Sequence, residues 1–270
     1  MKVLNSLIDI AAISAKLRNL MRYAWRRSEG LQYGSYELTD EAALASSFLN
    51  SSRGGVVIDA GANKGEWSAE FLKSKPIIEK LIIIEPQGIH VPSLQKLAGE
   101  SSSRVVVEQV AIGAVPGELT LYSNDEGSGL ASLYKRDLAH IELAMSQQEV
   151  VQVTTLDALA EKYAVQHVAF LKLDLEGHEL EALKGAKDLL KRKDIDAIMF
   201  EFGGCNIDSR TFFKDFWSLL VSQHQFSLYR LLPKQRLKYL SKYSETLEQF
   251  NWQNILACAP NIEPKWKVFY

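Results

Sequence analysis

Val56-Val57-Ile58-Asp59-Ala60-Gly61-Ala62-Asn63-Lys64-Gly65 is the stretch whose reading decides the fold. A β-branched run reaches a carboxylate and passes into a glycine-bearing turn, after which a helix begins near Glu66 or Trp67. Strand, tight turn and helix in that order form the first unit of a parallel sheet with crossover helices. Gly61 and Gly65 let the backbone pass close to a ligand. The helix start turns unpaired N–H groups towards it.

Outward from this unit, β-branched runs alternate with amphipathic stretches. The pattern predicts strands at Val56–Asp59, Leu81–Ile84, Val105–Val110, Val168–Leu173 and Ile195–Phe200. Helices are expected at Gly65–Lys73, Val91–Gly99, Leu156–Tyr163 and His178–Lys191, the last with Leu180, Leu183, Ala186 and Leu190 on one face. Glu118–Tyr122 and Val150–Thr154 break the alternation. They read as short strands around Asn124–Ser132, whose Gly127-Ser128-Gly129 suggests a mobile loop. This is an insertion that decorates the sheet edge or covers the site. A helix at Thr211–Ser222 precedes strand-like Phe226–Leu231 and Gln253–Cys258. The basic, Tyr-containing Lys234–Tyr243 between those strands reads as a solvated helix or a contact for an anionic glycan or lipid-linked substrate. No repeat or linker forces a second domain, so we expect a helical extension over 1–50 and a single domain over 51–270.

The 270 residues are 47% apolar and 24% charged, an ordinary globular balance. A net charge of −2 gives no general attraction to nucleic acid. Neither an Asp/Asn-Pro-Pro-aromatic motif nor a Pro-Cys nucleophile occurs, so no nucleic-acid partner is expected. Cys205 and Cys258 lack metal-site spacing and read as core thiols of a reducing compartment. The apolar opening Met1–Leu20 is interrupted by Lys2, Asp9, Lys16 and Arg18. It therefore lacks the clean core of a secretory signal or a membrane span, and a cytoplasmic location is expected. Leu4–Trp25 carries helical periodicity, with Lys16, Arg18, Arg22, Arg26 and Arg27 over its second half and just beyond. Such a segment either packs on the domain or, through residues 1–27, meets a membrane surface.

Glu85 ends the next apolar run, about twenty residues beyond Gly65, the separation at which an acid meets ribose hydroxyls in such folds. A dinucleotide site wants G-x-G-x-x-G, whereas Gly61 to Gly65 is G-x-x-x-G with no central glycine. Asp59 would repel a pyrophosphate but suits an ammonium. These features favour S-adenosylmethionine over a nicotinamide dinucleotide. An NAD(P)-dependent oxidoreductase and a non-catalytic S-adenosylmethionine-binding protein are the alternatives.

The same run resembles the FkbM-type methyltransferases. So do Ile84-Glu85-Pro86, Thr155-Leu156-Asp157, Leu171-Lys172-Leu173-Asp174-Leu175-Glu176-Gly177-His178-Glu179 and Leu183-Lys184-Gly185-Ala186, which follow in the family's order. The resemblance spans roughly Val56 to Phe202, and its most specific part is the Asp-x-Glu-Gly block. It implies a doubly wound, mostly parallel, Rossmann-like α/β sheet of the class I methyltransferase type. It also implies S-adenosylmethionine as donor and transfer to an oxygen of a sugar, glycan or natural product. By position, Asp59, Gly61, Asn63 and Gly65 would hold the methionine end, Glu85 the ribose, and Val110 and Ala111 the adenine.

Methyl transfer to a hydroxyl needs in-line positioning and a group that takes the proton. Asp174, Glu176, His178 and Glu179 fall together where a strand gives way to a helix, and Glu201 ends the following strand. Asp174, His178 and Glu201 are the expected catalytic residues, with the base unranked among them. Glu176 and His178 read equally well as solvated first-turn residues, and Glu179 as a favourable charge at a helix start. Mg²⁺ could sit between two strand-end carboxylates, but two oxygen ligands make a poor site, and it is not favoured. The sequence leaves the oligomeric state open.

Overall fold

β1 (Val56–Ala60) is buried along its whole length, as an unbroken apolar run should be in a sheet covered on both faces. It lies within the large sheet of a computed structural model that describes residues 15–31, 38–49, 55–101 and 104–270. β2 (Lys80–Ile84) and β7 (Val168–Leu173) flank it in parallel. Outside them lie β3 (Val105–Glu108) and β8 (Ile195–Phe202), also parallel. Alternate residues of β1 face different layers. Val57 joins a buried cluster with Trp67 and Phe71 of α3 (Glu66–Lys73), Leu94 of α4 (Val91–Ser101), and Leu44 and Ala45 of α2 (Leu38–Ser47). Val56, Ile58 and Ala60 join the other cluster, formed with α5 (Leu156–Lys162), α6 (Glu179–Lys184) and α7 (Lys187–Arg192). The sheet is doubly wound.

Beyond β8 the pairing turns antiparallel as far as β10 (Arg236–Leu240), and β12 (Lys267–Phe269) then pairs with β10 in parallel. β11 (Gln253–Cys258) inserts between β8 and β9 (Ser227–Leu232), and β10 with β12 extends the edge. The strand order is 12-10-9-11-8-7-1-2-3. A small second sheet pairs β6 (Gln147–Thr154) with β5 (Gly117–Ser123) and β4 (Ala111–Ile112).

Several sequence expectations need correction. The run Val105–Val110 divides, because its ladder with β2 ends at Glu108 and Ala111 leaves for the small sheet. Glu108 is drawn aside there by Lys162, at 2.5 Å, and by the Tyr163 hydroxyl. His178–Lys191 breaks into α6 and α7. Gly185 packs so closely that a Cβ would lie 2.1 Å from the Gly113 carbonyl oxygen. Asp157 then restarts the helix by accepting the Asp188 and Leu189 N–H groups at 2.8 and 3.0 Å. Thr211–Ser222 is one turn of α-helix, Phe213–Phe216, followed by a π-helix, Trp217–Gln223. Lys234–Tyr243 contains a strand and no helix. Left-handed backbone at Lys234 and Gln235 (φ 64° and 53°) returns the chain as β10 against β9. Of the helix expected over Leu4–Trp25, residues 4–14 lie outside the described ones, and α1 covers Ala15–Ser28. Among the described residues no helix is long and apolar enough to cross a membrane.

Candidate active site

The carboxyl ends of β1, β2, β7 and β8 open into a cavity of about 820 Å³. That edge is where open α/β sheets hold ligands. Gly61 has φ +81°, and a Cβ on it would lie 1.8 Å from the Asp174 carbonyl oxygen. Only glycine lets the turn after β1 close against the exit of β7. Glu85 then fastens the turn. Its Oε2 accepts the Asn63 N–H at 2.7 Å and its Oε1 the Gln87 N–H at 2.9 Å. Burial raises its pKa, while those two N–H groups pull it down.

Gly61, Asn63, Glu85, Val110 and Ala111 line this cavity, and Asp174, His178 and Glu201 line it too. Asp59 and Gly65 lie outside its lining. Asp59 is fully buried behind the turn, where its Oδ2 accepts from Ser68 Oγ at 2.6 Å. The cation it meets is the chain's own Lys172, 3.6 Å from Oδ1. Gly65 (φ +80°) packs on α4, and a Cβ there would come within 2.5 Å of Leu94.

Lys172 is buried 3.0 Å from Asp174 Oδ2 and 5.9 Å above the Trp67 ring. Burial opposes its charge, yet Asp174, Asp59 and Glu41 together hold its pKa above the ordinary range. Glu41, from α2, accepts from Asn254 Nδ2 at 2.7 Å, and burial pushes its carboxyl up to about 7.

Around Glu201 the acids accumulate. Burial, and then Asp174, Glu176 and Glu179, raise Glu201 well above the usual carboxylate range, against a hydrogen bond from Trp252. Burial and Asp174 push Glu176 up to about 8, although Arg136 is its ion-pair partner. Arg136 is shared with Asp208, whose Oδ2 lies 3.5 Å from Nε. Glu179 does sit in the first turn of α6. It is fully buried, accepts the Leu175 and Gly177 N–H groups through Oε1 at 2.8 and 3.2 Å, and leaves Oε2 without a hydrogen-bond partner. Burial raises it to about 7. His178 is also buried. Desolvation lowers it to about 4, so the imidazole is neutral at pH 7, with Nδ1 3.2 Å from the Tyr134 hydroxyl.

The loop read as mobile is tied across the site. Gln87 Nε2 donates to the Ser128 carbonyl and a His90 ring nitrogen lies by the Gly127 carbonyl, both at 3.2 Å. Ser132 Oγ donates to the Glu176 carbonyl at 2.7 Å. Ser128, Gly129 and Ala131 form part of the cavity wall. Among the described residues no three His, Cys, Asp or Glu side chains are grouped to hold a metal.

Sequence reading missed Lys172, Glu41, Tyr134, Arg136, Trp252 and Asn254. Lys172 carried a signal, a cation in the middle of an otherwise apolar strand. The rest reach the site from segments whose local pattern says nothing of it.

A family model, the methyltransferase FkbM domain, matches residues 59–228. The chain belongs to the FkbM methyltransferase family. Its doubly wound sheet with antiparallel strands beyond β8 is the class I methyltransferase architecture. The FkbM match begins inside β1 and ends inside β9, so Glu41, Trp252 and Asn254 bring cavity walls from outside it. Among solved structures, an FkbM methyltransferase from Methylobacillus flagellatus aligns at 17% identity and TM-score 0.47 over 75% of this chain. The chain spans only 43% of that protein. A candidate O-methyltransferase from Klebsiella pneumoniae aligns at 10% identity and TM-score 0.46, over 96% of each chain. A candidate rRNA methylase from Clostridium thermocellum aligns at 10% and 0.44, over 84% of this chain and 99% of the other. These likenesses are distant. No curated protein matches the chain.

Proposed function

We propose that this FkbM-family chain transfers the methyl group of S-adenosylmethionine to a hydroxyl of a sugar, glycan or natural product. One observation carries the reading. A glycine turn fastened by an acid shares a cavity with a half-buried carboxylate of raised pKa, Glu201.

The residues present fit the donor. Each Glu85 oxygen spends one acceptor site on a backbone N–H and keeps another for a ribose hydroxyl. Val110 and Ala111 offer apolar walls to the adenine. Asp174, whose side chain is 42% exposed, takes the place expected of Asp59 in facing the ammonium. When bound, S-adenosylmethionine supplies a methyl group on a positively charged sulfur.

The chain's own groups do the rest. Glu201, once ionised, accepts the proton of the acceptor hydroxyl, and its raised pKa makes it a stronger base than an exposed carboxylate. Neutral His178, held at Nδ1 by Tyr134, orients the acceptor through a hydrogen bond. Glu41, Asn254 and Trp252 hold the remainder of the acceptor. The tied loop at Ser128–Ala131 keeps water from the reacting atoms.

The test is release of S-adenosylhomocysteine when purified protein is given S-adenosylmethionine and a panel of methyl glycosides and natural-product alcohols. The expected result is acceptor-dependent release with one methyl group gained by one alcohol. Donor binding without release by any acceptor would favour the non-catalytic alternative.

A further inference from the structure

We propose that α1 is an interfacial anchor that docks the protein on an anionic lipid surface. An amphipathic helix ordinarily turns its apolar stripe to the core. In α1 every residue from Lys16 to Trp25 is exposed. Leu17, Leu20, Met21 and Trp25 recur at helical spacing on one arc, with exposures of 47, 61, 55 and 48%. Arg18, Arg22 and Arg26 border that arc on one side, and Lys16 and Arg27 on the other.

Charge complementarity selects the partner. Five cations and no acid lie within Ala15–Ser28, on a chain whose net charge is −2. Nucleic acid would meet the cations but leave Leu20, Met21 and Trp25 in water. A lipid interface takes both, with the apolar arc in the acyl boundary and the cations among anionic headgroups.

The anchor is tied to the body at its C-terminal end. Glu29 pairs with Lys238 of β10 at 2.5 Å, and its carbonyl accepts from Arg230 at 3.2 Å. Arg236 shares a strand face with Lys238 and stands in register with Lys267 of β12, so the same edge adds cations. Phe269 and Tyr270 continue that edge, 37 and 96% exposed.

The experiment is co-sedimentation of the full chain with vesicles of phosphatidylcholine alone, and with phosphatidylcholine containing about one-third phosphatidylglycerol. Binding is expected to the anionic vesicles only, weakening as salt rises. Each cation near the surface contributes about fivefold. Lys16→Glu with Arg22→Glu should therefore lower partitioning at least thirtyfold, roughly two cations' worth. Leu20→Ser with Met21→Ser should lower it about tenfold or more. Both pairs lie at exposed positions, and circular dichroism confirms that the variants fold. Brominated acyl chains should quench a component of tryptophan emission that Trp25→Phe removes. Equal sedimentation with both vesicle types, no sedimentation, or loss through the charge pair alone with Trp25 unquenched would each overturn the proposal.

Discussion

Glu85, just past β2, and Glu201, near the end of β8, are carboxylates of one cavity that burial raises alike but whose neighbours differ. Each Glu85 oxygen accepts a backbone N–H, so its charge is spent on shaping the glycine turn. Glu201 faces Asp174, Glu176 and Glu179, and its named support is a hydrogen bond from Trp252. The fold satisfies the acid that builds the donor wall and leaves frustrated the acid that methyl transfer to a hydroxyl would use. A strongly perturbed group of the second kind, lining a cavity, is a candidate for a functional role.

The largest expected effect comes from breaking the frustrated side. Glu201→Gln should lower kcat by about 10²–10⁴ with little change in donor affinity, as loss of a general base does. The wild-type rate should rise with pH along a limb displaced above the ordinary carboxylate range, and the variant should lack that limb. A rate profile against pH reads both.

Glu85→Ala attacks the satisfied side. Two N–H groups lose a charged acceptor, at about 1.5–3 kcal/mol for a hydrogen bond to a charged group. Donor affinity should fall about a hundredfold, with a lowered Tm, while Glu85→Gln should be milder. Calorimetry and thermal melts check this.

Asn254→Ala tests whether walls from outside the FkbM match read the acceptor. It frees Glu41 of its partner without touching the glycine turn. Acceptor KM should rise about tenfold, the worth of roughly one buried hydrogen bond, with donor affinity unchanged.

Glu179→Gln should have the smallest effect, and its sign depends on pH. Burial lifts Glu179 and Glu41 to about 7 in the folded protein, from 4.5 for a solvated glutamate. Between those values the folded state keeps protons that the unfolded state has released. Stability therefore falls as pH rises through that window. Urea melts should show the wild type losing stability from pH 5 to pH 8. Glu179→Gln should flatten the slope and come out ahead by about 1 kcal/mol at pH 8. A wild type whose stability rises across that window would contradict these buried acids.

The glycine turn after β1 was legible because it is local. One strand, one turn and an acid about twenty residues on lie in consecutive elements, and glycines at positive φ announce themselves in sequence. The burial of Asp59 beside Lys172 is hidden from the sequence. Lys172 comes from β7, which lies beside β1 only after folding. Glu41 and Asn254 meet across 213 residues of chain, so neither flank reveals the other. Where local propensity and long-range packing disagreed, packing decided. Gly185 sits against Gly113 and splits an otherwise continuous helical pattern. In Arg236–Leu240, pairing with β9 overrode what looked like a solvated helix.

We propose that the cavity beneath the Gly61 turn is an S-adenosylmethionine site. Calorimetric titration of the purified chain with S-adenosylhomocysteine, and separately with NADH, tests it most directly. The expected result is one-to-one binding of S-adenosylhomocysteine that Glu85→Ala weakens about a hundredfold, with no heat from NADH. Binding of NADH in its place, or S-adenosylhomocysteine binding untouched by Glu85→Ala, would contradict it.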